Sequence, residues 1–246
     1  MTTVPPTQID APAPVRWGLG DAVAGWLVAV SGAAILGAAS ISLAGYDQAD
    51  VDAERLPLWL TLVQSPFLWF GFVGVPLFVA ATKGRGFVAD FRFRIRASDV
   101  GVGAVVGVVA QLVVVPLVTL PFLWLTDTDV DKLGEPAQKL ADKVGGAPSV
   151  VLFVAIIAIG APLAEEIFFR GLLLRSLENR LGSGWAIAIS AMVFGITHFE
   201  LLQLPALAAA GAIFAVLAVK TDRLGPAIVA HMAFNLTTVV HLIWIA

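Results

Sequence analysis

Two glutamates and an arginine interrupt an apolar stretch in the C-terminal half of the chain. Glu165, Glu166 and Arg170 lie within residues 161–174, APLAEEIFFRGLLL. An ionisable side chain in a membrane-embedded helix costs about 3 kcal/mol, so such groups usually carry function. Glu166 and Arg170 are four residues apart and share a helix face, whereas Glu165 is turned about 100° away. We therefore predict that Arg170 compensates Glu166 and that Glu165 meets another helix; alternatively, both acids only hold helices together.

Two histidines occur in later apolar segments, each four residues from a possible partner. Phe194 precedes His198, and His231 precedes Asn235, so each pair shares a helix face. A single histidine on an apolar helix is more often a hydrogen-bonded packing residue than a catalyst. Two histidines, an amide and two carboxylates in apolar helices together favour one shared polar site.

Such a set of residues can hydrolyse an amide bond. A glutamate and a histidine can activate water, with the carboxylate as general base. A second histidine and an asparagine can donate hydrogen bonds to the resulting oxyanion. The alternative is a divalent metal such as zinc, bound by Glu165, His198 and His231. Both arrangements predict hydrolysis within a membrane, and the HExxH signature of soluble metalloproteases is absent from the sequence.

The composition indicates a membrane protein with several spanning helices. Of 246 residues, 59% are hydrophobic and only 13% are charged, which excludes an ordinary soluble domain. The net charge is −3 and no basic run is long enough to predict a nucleic-acid partner. Cysteine is absent, which excludes disulfides, thiolate metal ligands and a cysteine nucleophile.

Apolar segments predict an all-α bundle of about seven transmembrane helices around a polar cavity, since one crossing needs about 20 residues. The segments lie at about 22–45, 57–81, 99–125, 149–175, 184–200, 203–219 and 224–246. Pro116, Pro121 and Pro162 predict kinks in the third and fourth segments. Gly103 and Gly107 form a GxxxG pair that favours close helix contact, or are simply glycines common in such helices.

The segments divide the chain into four regions. Residues 1–21 are rich in proline and predict a disordered tail. Residues 22–125 hold three helices, and 149–246 hold four helices with all the candidate site residues. Residues 126–148 form an outer loop. Apolar residues recur at helical spacing over 132–144, which predicts a short amphipathic helix. This helix covers the bundle or merely links two helices.

Basic residues predict the orientation in the membrane, because Lys and Arg in short loops stay in the cytoplasm. With the amino terminus inside, ten Lys and Arg residues fall in inner segments and four in outer ones. Arg92, Arg94 and Arg96 alternate with aromatic or aliphatic residues. They predict an anchor on anionic lipid head groups, with substrate binding as the alternative.

Three motifs, in order, resemble the signatures of one family of intramembrane proteases. EEIFFR at 165–170, FGITH at 194–198 and HMAFN at 231–235 are similar to the EExxxR, FxxxH and HxxxN patterns of the CPBP family. That family includes CAAX prenyl endopeptidases and bacteriocin-processing or Abi proteins. The resemblance covers about the last hundred residues, and the first three helices carry no such motif.

The resemblance implies a water-filled cavity open to the cytoplasmic side of a plasma membrane. It leaves open whether a divalent metal is bound. The residues that match the motifs take three roles by this resemblance: activation of water by Glu165 and His198, oxyanion stabilisation by His231 and Asn235, and support of the site by Glu166, Arg170 and Phe194.

We therefore predict a hydrolase, an intramembrane endopeptidase or metalloendopeptidase. Its substrate would be a peptide or a membrane-associated protein, of a lipidated or bacteriocin-type class. Two other classes stay open: a non-catalytic immunity or scaffold membrane protein, and a proton-coupled transporter, because buried Glu and His chains relay protons. The sequence shows no corresponding broken helices in two halves of the chain, the usual sign of transporter repeats.

Overall fold

The regular structure of the described chain is helical. The computed structural model describes residues 15–52, 54–129 and 131–245. Within these ranges, six helical stretches are long and apolar enough to cross a membrane. The longest, Ala147–Ile196, has 50 residues, more than twice what one crossing needs. This length indicates that the stretch contains two predicted segments.

Gly182 separates those two segments. Its φ of 76° and ψ of 165° are not helical, and glycine adopts positive φ without the steric cost of a Cβ atom. The predicted fold class, an all-α membrane bundle of about seven helices, is confirmed for the described residues. We label the long helices α1 Leu19–Leu43, α2 Leu58–Lys83, α3 Ala97–Thr126, α4 147–181, α5 183–196, α6 Leu204–Thr221 and α7 Gly225–Trp244. Single turns of helix add Gln48–Asp52 and Phe87–Asp90.

Three predicted boundaries differ from the structure. Helix α4 continues past residue 175 to 181, and α5 ends at 196 rather than 200. The predicted end of the tail at residue 21 also differs, since α1 already begins at Leu19; residues 1–14 of that prediction lie outside the described residues. Trp17 is buried against Phe91, with ring centroids 5.3 Å apart, so the chain is packed before residue 21.

Two of the three prolines predicted to disturb helices follow π-helical turns. The turn Ala110–Val114 precedes Pro116, and the turn Val154–Gly160 precedes Pro162. Proline has no N–H for the preceding turn, and a wider π-helical turn is one way in which a helix continues past such a gap. Pro121 instead lies inside a regular helix.

Gly103 and Gly107 bring α3 close to α7. A Cβ atom on Gly107 would lie 2.1 Å from the carbonyl oxygen of Ala230, and one on Gly103 would lie 2.7 Å from Cβ of Val229. Both distances are below normal contact, so the close helix contact predicted from the GxxxG pair is confirmed. Because α7 also carries His231, this contact helps to position that side chain.

Gly107→Val is expected to lower the free energy of unfolding by about 1–3 kcal/mol, because the added side chain would force α3 away from α7. Thermal unfolding of the purified protein in detergent measures the loss. Gly101→Val is the matched control, since Gly101 lies on the same helix and a Cβ there meets nothing within 4 Å. Equal melting temperatures for the two variants would contradict the close contact.

The predicted amphipathic helix is present as Asp131–Ala141. Lys139 forms an ion pair with Glu54 at 2.8 Å, in the connection between α1 and α2. The Gln203 side chain donates a hydrogen bond to the Leu133 carbonyl at 3.2 Å. The helix therefore covers this end of the bundle and contacts the turn between α5 and α6.

Exposed tryptophans lie near both ends of the bundle. Trp59, Trp124 and Trp244 lie at one end and Trp185 at the other, and each is more than half exposed. Tryptophan is enriched at membrane interfaces, so these positions agree with a multi-pass membrane protein. Which end faces the cytoplasm stays a prediction.

Candidate active site

Glu166 lies at the centre of a buried polar cluster formed by α4 and α7. Its carboxylate is fully buried, and its Oε1 lies 2.8 Å from Nη1 of Arg170 and 2.9 Å from Nδ1 of His231. The pair that the four-residue spacing predicts is therefore present. Residues 231 and 166 belong to different helices, so this carboxylate also joins α7 to α4.

Arg170 is fully enclosed by backbone and aromatic rings. Its Nη2 donates a hydrogen bond to the Gly211 carbonyl at 2.8 Å. The guanidinium carbon lies 4.5 Å from the ring centroid of Phe194, 5.5 Å from that of Phe214 and 5.9 Å from that of Phe169. Cation–π contacts of this kind are strongest when the cation is desolvated. The arginine is thus held rigidly and fixes the Glu166 carboxylate in turn.

Two contacts fix the orientation of the His231 imidazole, one at its Nδ1 edge and one on a face of the ring. Its Nδ1 faces the Glu166 carboxylate, which only accepts hydrogen bonds when ionised, so Nδ1 carries a proton. Phe214 stacks on the imidazole at 4.6 Å between centroids and 21° between planes. Nε2 then faces Oε2 of Glu165 at 3.7 Å, which is too long for a direct hydrogen bond.

Glu165 differs from Glu166 in exposure and in partners. Its side chain is 20% exposed, against 0% for Glu166. In the ranges that the structure covers, no group donates a hydrogen bond to the Glu165 carboxylate. The division predicted from the helix faces is observed: one glutamate is tied to arginine, and the other is accessible and open to a further ligand.

His198 lies in the turn after α5 rather than inside the helix as predicted. Its Nδ1 is 2.8 Å from the Phe194 carbonyl, which can only accept, so Nδ1 carries the proton and Nε2 presents a lone pair. The Phe194 ring lies 4.8 Å from the His198 ring and 5.6 Å from that of His231, edge-on to both. Phe194 thus lies against both histidines. No hydrogen bond joins His198 to Glu165 in the described chain.

The turn between α5 and α6 packs against α1 and the amphipathic helix. Thr197, which is half-buried, accepts a hydrogen bond from Trp26 of α1 at 3.2 Å, and Gln203 donates one to the Leu133 carbonyl at 3.2 Å. His198 is also half-buried in this turn, so its side chain is positioned by the turn rather than by a helix face.

Asn235 connects α7 to the π-helical turn that precedes the glutamates. Its Nδ2 donates a hydrogen bond to the Ile157 carbonyl at 2.8 Å. In a π-helical register this carbonyl would pair with the N–H of residue 162, which is proline and has none. The side-chain amide has two N–H groups, so Asn235 keeps one for another acceptor.

The predicted metal ligands do not converge in the part of the chain that the structure describes. Among the described residues, no group of three His, Cys, Asp or Glu side chains converges closely enough to hold one. Nδ1 of His231 faces Glu166 and Nδ1 of His198 faces a backbone carbonyl, so only Nε2 of each ring is open to a further ligand. Glu165, His198 and His231 therefore do not form a metal-ligand set in this structure.

Three contributors to the site have no recognisable polar signal in the sequence. They are the Phe214 ring, the Gly211 carbonyl and the Ile157 carbonyl. Gly211 and Phe214 are three residues apart on α6 and share a face. That spacing predicts packing only, because α6 has no polar residue on this face to indicate a site.

Comparisons with known proteins agree with the three motifs. Residues 147–237 match the family model described as type II CAAX prenyl endopeptidase Rce1-like. "Putative membrane peptidase YdiL" of Bacillus subtilis (strain 168) is 30% identical over 111 residues, which are 45% of this chain and 44% of that protein. The chain thus aligns with less than half the length of that relative. No solved structure matches the chain. The resemblance to the CPBP family is therefore confirmed for the segment 147–237, which contains every candidate site residue.

Proposed function

We propose that the chain is an intramembrane endopeptidase that hydrolyses a peptide bond in a membrane-associated substrate. One observation carries the proposal: Glu165 is accessible, lacks a hydrogen-bond donor in the described chain and faces the rigidly held imidazole of His231. Glu165 and His231 together provide a general base next to an imidazole whose orientation is fixed. This geometry lies in the segment that is similar to peptidases.

The attacking water is held by two acceptors. The Glu165 carboxylate accepts one of its hydrogens and Nε2 of His198 accepts the other. Glu165 then takes a proton as general base while the water oxygen attacks the carbonyl carbon of the substrate. The same carboxylic acid returns this proton to the leaving amine, so the reaction needs only one water for each bond cleaved.

The oxyanion is stabilised by two donors on α7. In the proposed mechanism, His231 carries a hydrogen on both ring nitrogens when the oxyanion forms. His231 then donates Nδ1–H to Glu166 and presents Nε2–H to the oxyanion, together with the second N–H of Asn235. Preorganised donors in a site that excludes bulk water supply a large part of the rate acceleration of such reactions.

The substrate is proposed to be a peptide that is lipid-modified or of bacteriocin type. The matched family is described as a prenyl endopeptidase, which favours the lipid-modified class. A site within a membrane bundle reaches peptides that are themselves held in the bilayer. The protein is proposed to reside in the plasma membrane with its amino terminus in the cytoplasm, as the basic residues predict.

Chelators are expected to leave peptide cleavage unchanged, because Glu165, His198 and His231 do not converge on a metal site. The measurement is the turnover of the purified protein before and after dialysis against EDTA and 1,10-phenanthroline. Loss of turnover that zinc restores would overturn the metal-free mechanism. The His231→Ala variant, analysed for bound metal beside the wild type, identifies any metal site that includes this residue.

Comparison of released peptides tests the function itself. Membranes that carry the wild-type chain are expected to release peptides that membranes carrying Glu165→Gln do not release, as read by mass spectrometry. Identical peptide sets would instead support a non-catalytic immunity or scaffold protein. Proton uptake by vesicles that depends on Glu165, without any new peptide, would support a transporter.

A further inference from the structure

The connection between α2 and α3 presents two arginines around an exposed isoleucine. Arg94, Ile95 and Arg96, which we call the arginine ridge, are all exposed, Ile95 by 53%. Within the described chain, neither guanidinium of the ridge lies within ion-pair distance of a carboxylate. The ridge therefore combines two uncompensated positive charges with an apolar side chain.

Two arginines that flank the ridge in the fold are compensated. Arg92 forms an ion pair with Asp222. Arg223 contacts Asp99 through two nitrogens, with Nε 3.3 Å from Oδ2. These pairs hold the connection to the turn between α6 and α7. Within the connection between α2 and α3, the arginines without an ion pair to a described residue are thus the two of the ridge.

The backbone of the ridge is fixed against the start of α7. The carbonyls of Arg92 and Arg94 accept hydrogen bonds from the N–H groups of Leu224 and Gly225, both at 3.1 Å. The Asp99 carboxylate accepts a hydrogen bond from the backbone N–H of Arg96 at 2.8 Å. A backbone held at three points loses little conformational entropy when its side chains bind a ligand.

We infer that the arginine ridge binds the head groups of anionic phospholipids. Guanidinium groups match the geometry of phosphate oxygens, and a connection between two spanning helices lies at the level of the head groups. The exposed Ile95 can enter the acyl region between them, which a soluble phosphate ligand would not require. Each arginine near an anionic membrane surface contributes about 1 kcal/mol. This inference does not depend on protease activity.

The test is the binding of short-chain phosphatidylglycerol to the purified protein in a zwitterionic detergent. Arg94→Gln/Arg96→Gln is expected to bind it about thirtyfold more weakly than the wild type, the equivalent of about 2 kcal/mol. Arg94→Lys/Arg96→Lys keeps the charges and is expected to retain most of the binding. Arg55→Gln/Lys132→Gln removes the same charge from exposed positions at the opposite end and is expected to bind as the wild type does.

Two ligand controls distinguish a lipid surface from a phosphate site. Phosphatidylcholine and inorganic phosphate are each expected to bind at least tenfold more weakly than phosphatidylglycerol. Equal binding of either control ligand would overturn the inference. So would unchanged phosphatidylglycerol binding in Arg94→Gln/Arg96→Gln, provided that this variant melts at the wild-type temperature without lipid.

Discussion

Glu165→Gln is expected to lower kcat for peptide cleavage by about 10²- to 10⁴-fold, the usual contribution of a general base. Glutamine has nearly the same size as glutamate but cannot take a proton from water. Glu165 accepts no hydrogen bond from the described protein and is partly exposed, so the melting temperature is expected to stay close to that of the wild type. Turnover and thermal unfolding of the same preparation measure the two effects.

Glu200→Gln is the matched control for that variant. Glu200 is an exposed carboxylate two residues from His198, so its replacement removes the same charge from the vicinity of the site without removing the proposed base. Its turnover is expected to stay within a few-fold of the wild type. If Glu165→Gln also stays within a few-fold, Glu165 is not the general base.

Glu166→Ala is expected to destabilise the protein by about 3–5 kcal/mol, because Arg170 would stay buried without its carboxylate. Both side chains of this pair are 0% exposed, so water cannot replace the lost partner. His231 also loses the acceptor that holds its Nδ1–H, so activity is expected to fall with stability. Denaturant or thermal unfolding in detergent measures the change in free energy.

Glu135→Ala is the matched control, since Glu135 and Lys139 are also four residues apart and lie 2.9 Å from each other, but both are about half exposed. An exposed pair is screened by water and contributes little, so this variant is expected to unfold almost as the wild type does. A second variant, Glu166→Leu/Arg170→Met, removes both charges and is expected to regain stability but not activity. Equal melting of Glu166→Ala and Glu135→Ala would contradict the account of the buried pair.

The sequence predicts the helices well because a membrane restricts them strongly. A spanning segment must be about 20 residues long and apolar, and all seven predicted segments correspond to helices in the structure. The roles of Glu165 and Glu166 could also be distinguished, since a rotation of 100° per residue places neighbouring residues on different faces. The pairing of Glu166 with Arg170 followed from the same geometry.

The depth of His198 could not be predicted, because it depends on where α5 ends. Thr197 and His198 are compatible with another helical turn, yet the chain leaves the helix after Ile196. The break places the His198 imidazole in a half-buried turn. Hydropathy does not indicate the exact end of the helix, since Phe199, Leu201 and Leu202 among the residues that follow are apolar.

Two backbone carbonyls explain why the sequence did not predict the partners of Arg170 and Asn235. The carbonyls of Gly211 and Ile157 bind the Arg170 and Asn235 side chains, but a carbonyl is present at every residue and has no sequence signal. The Ile157 carbonyl is free to accept a side-chain hydrogen bond because Pro162 has no N–H group. Predicting this requires knowledge of the π-helical register as well as of the proline. The predicted metal ligands do not converge among the described residues, because spacing along the chain does not determine how far apart three separate segments hold their side chains.

The most direct measurement is cleavage by the reconstituted protein in water enriched in ¹⁸O, with the peptide products weighed by mass spectrometry. Wild-type protein is expected to place one ¹⁸O atom in the new carboxylate of the amino-terminal product and none in the carboxyl-terminal product, because the oxygen comes from the water that Glu165 activates. Glu165→Gln is expected to form these products at least a hundredfold more slowly. The same products at the same rate in both proteins, or no labelled product with the wild type, would contradict hydrolysis at this site.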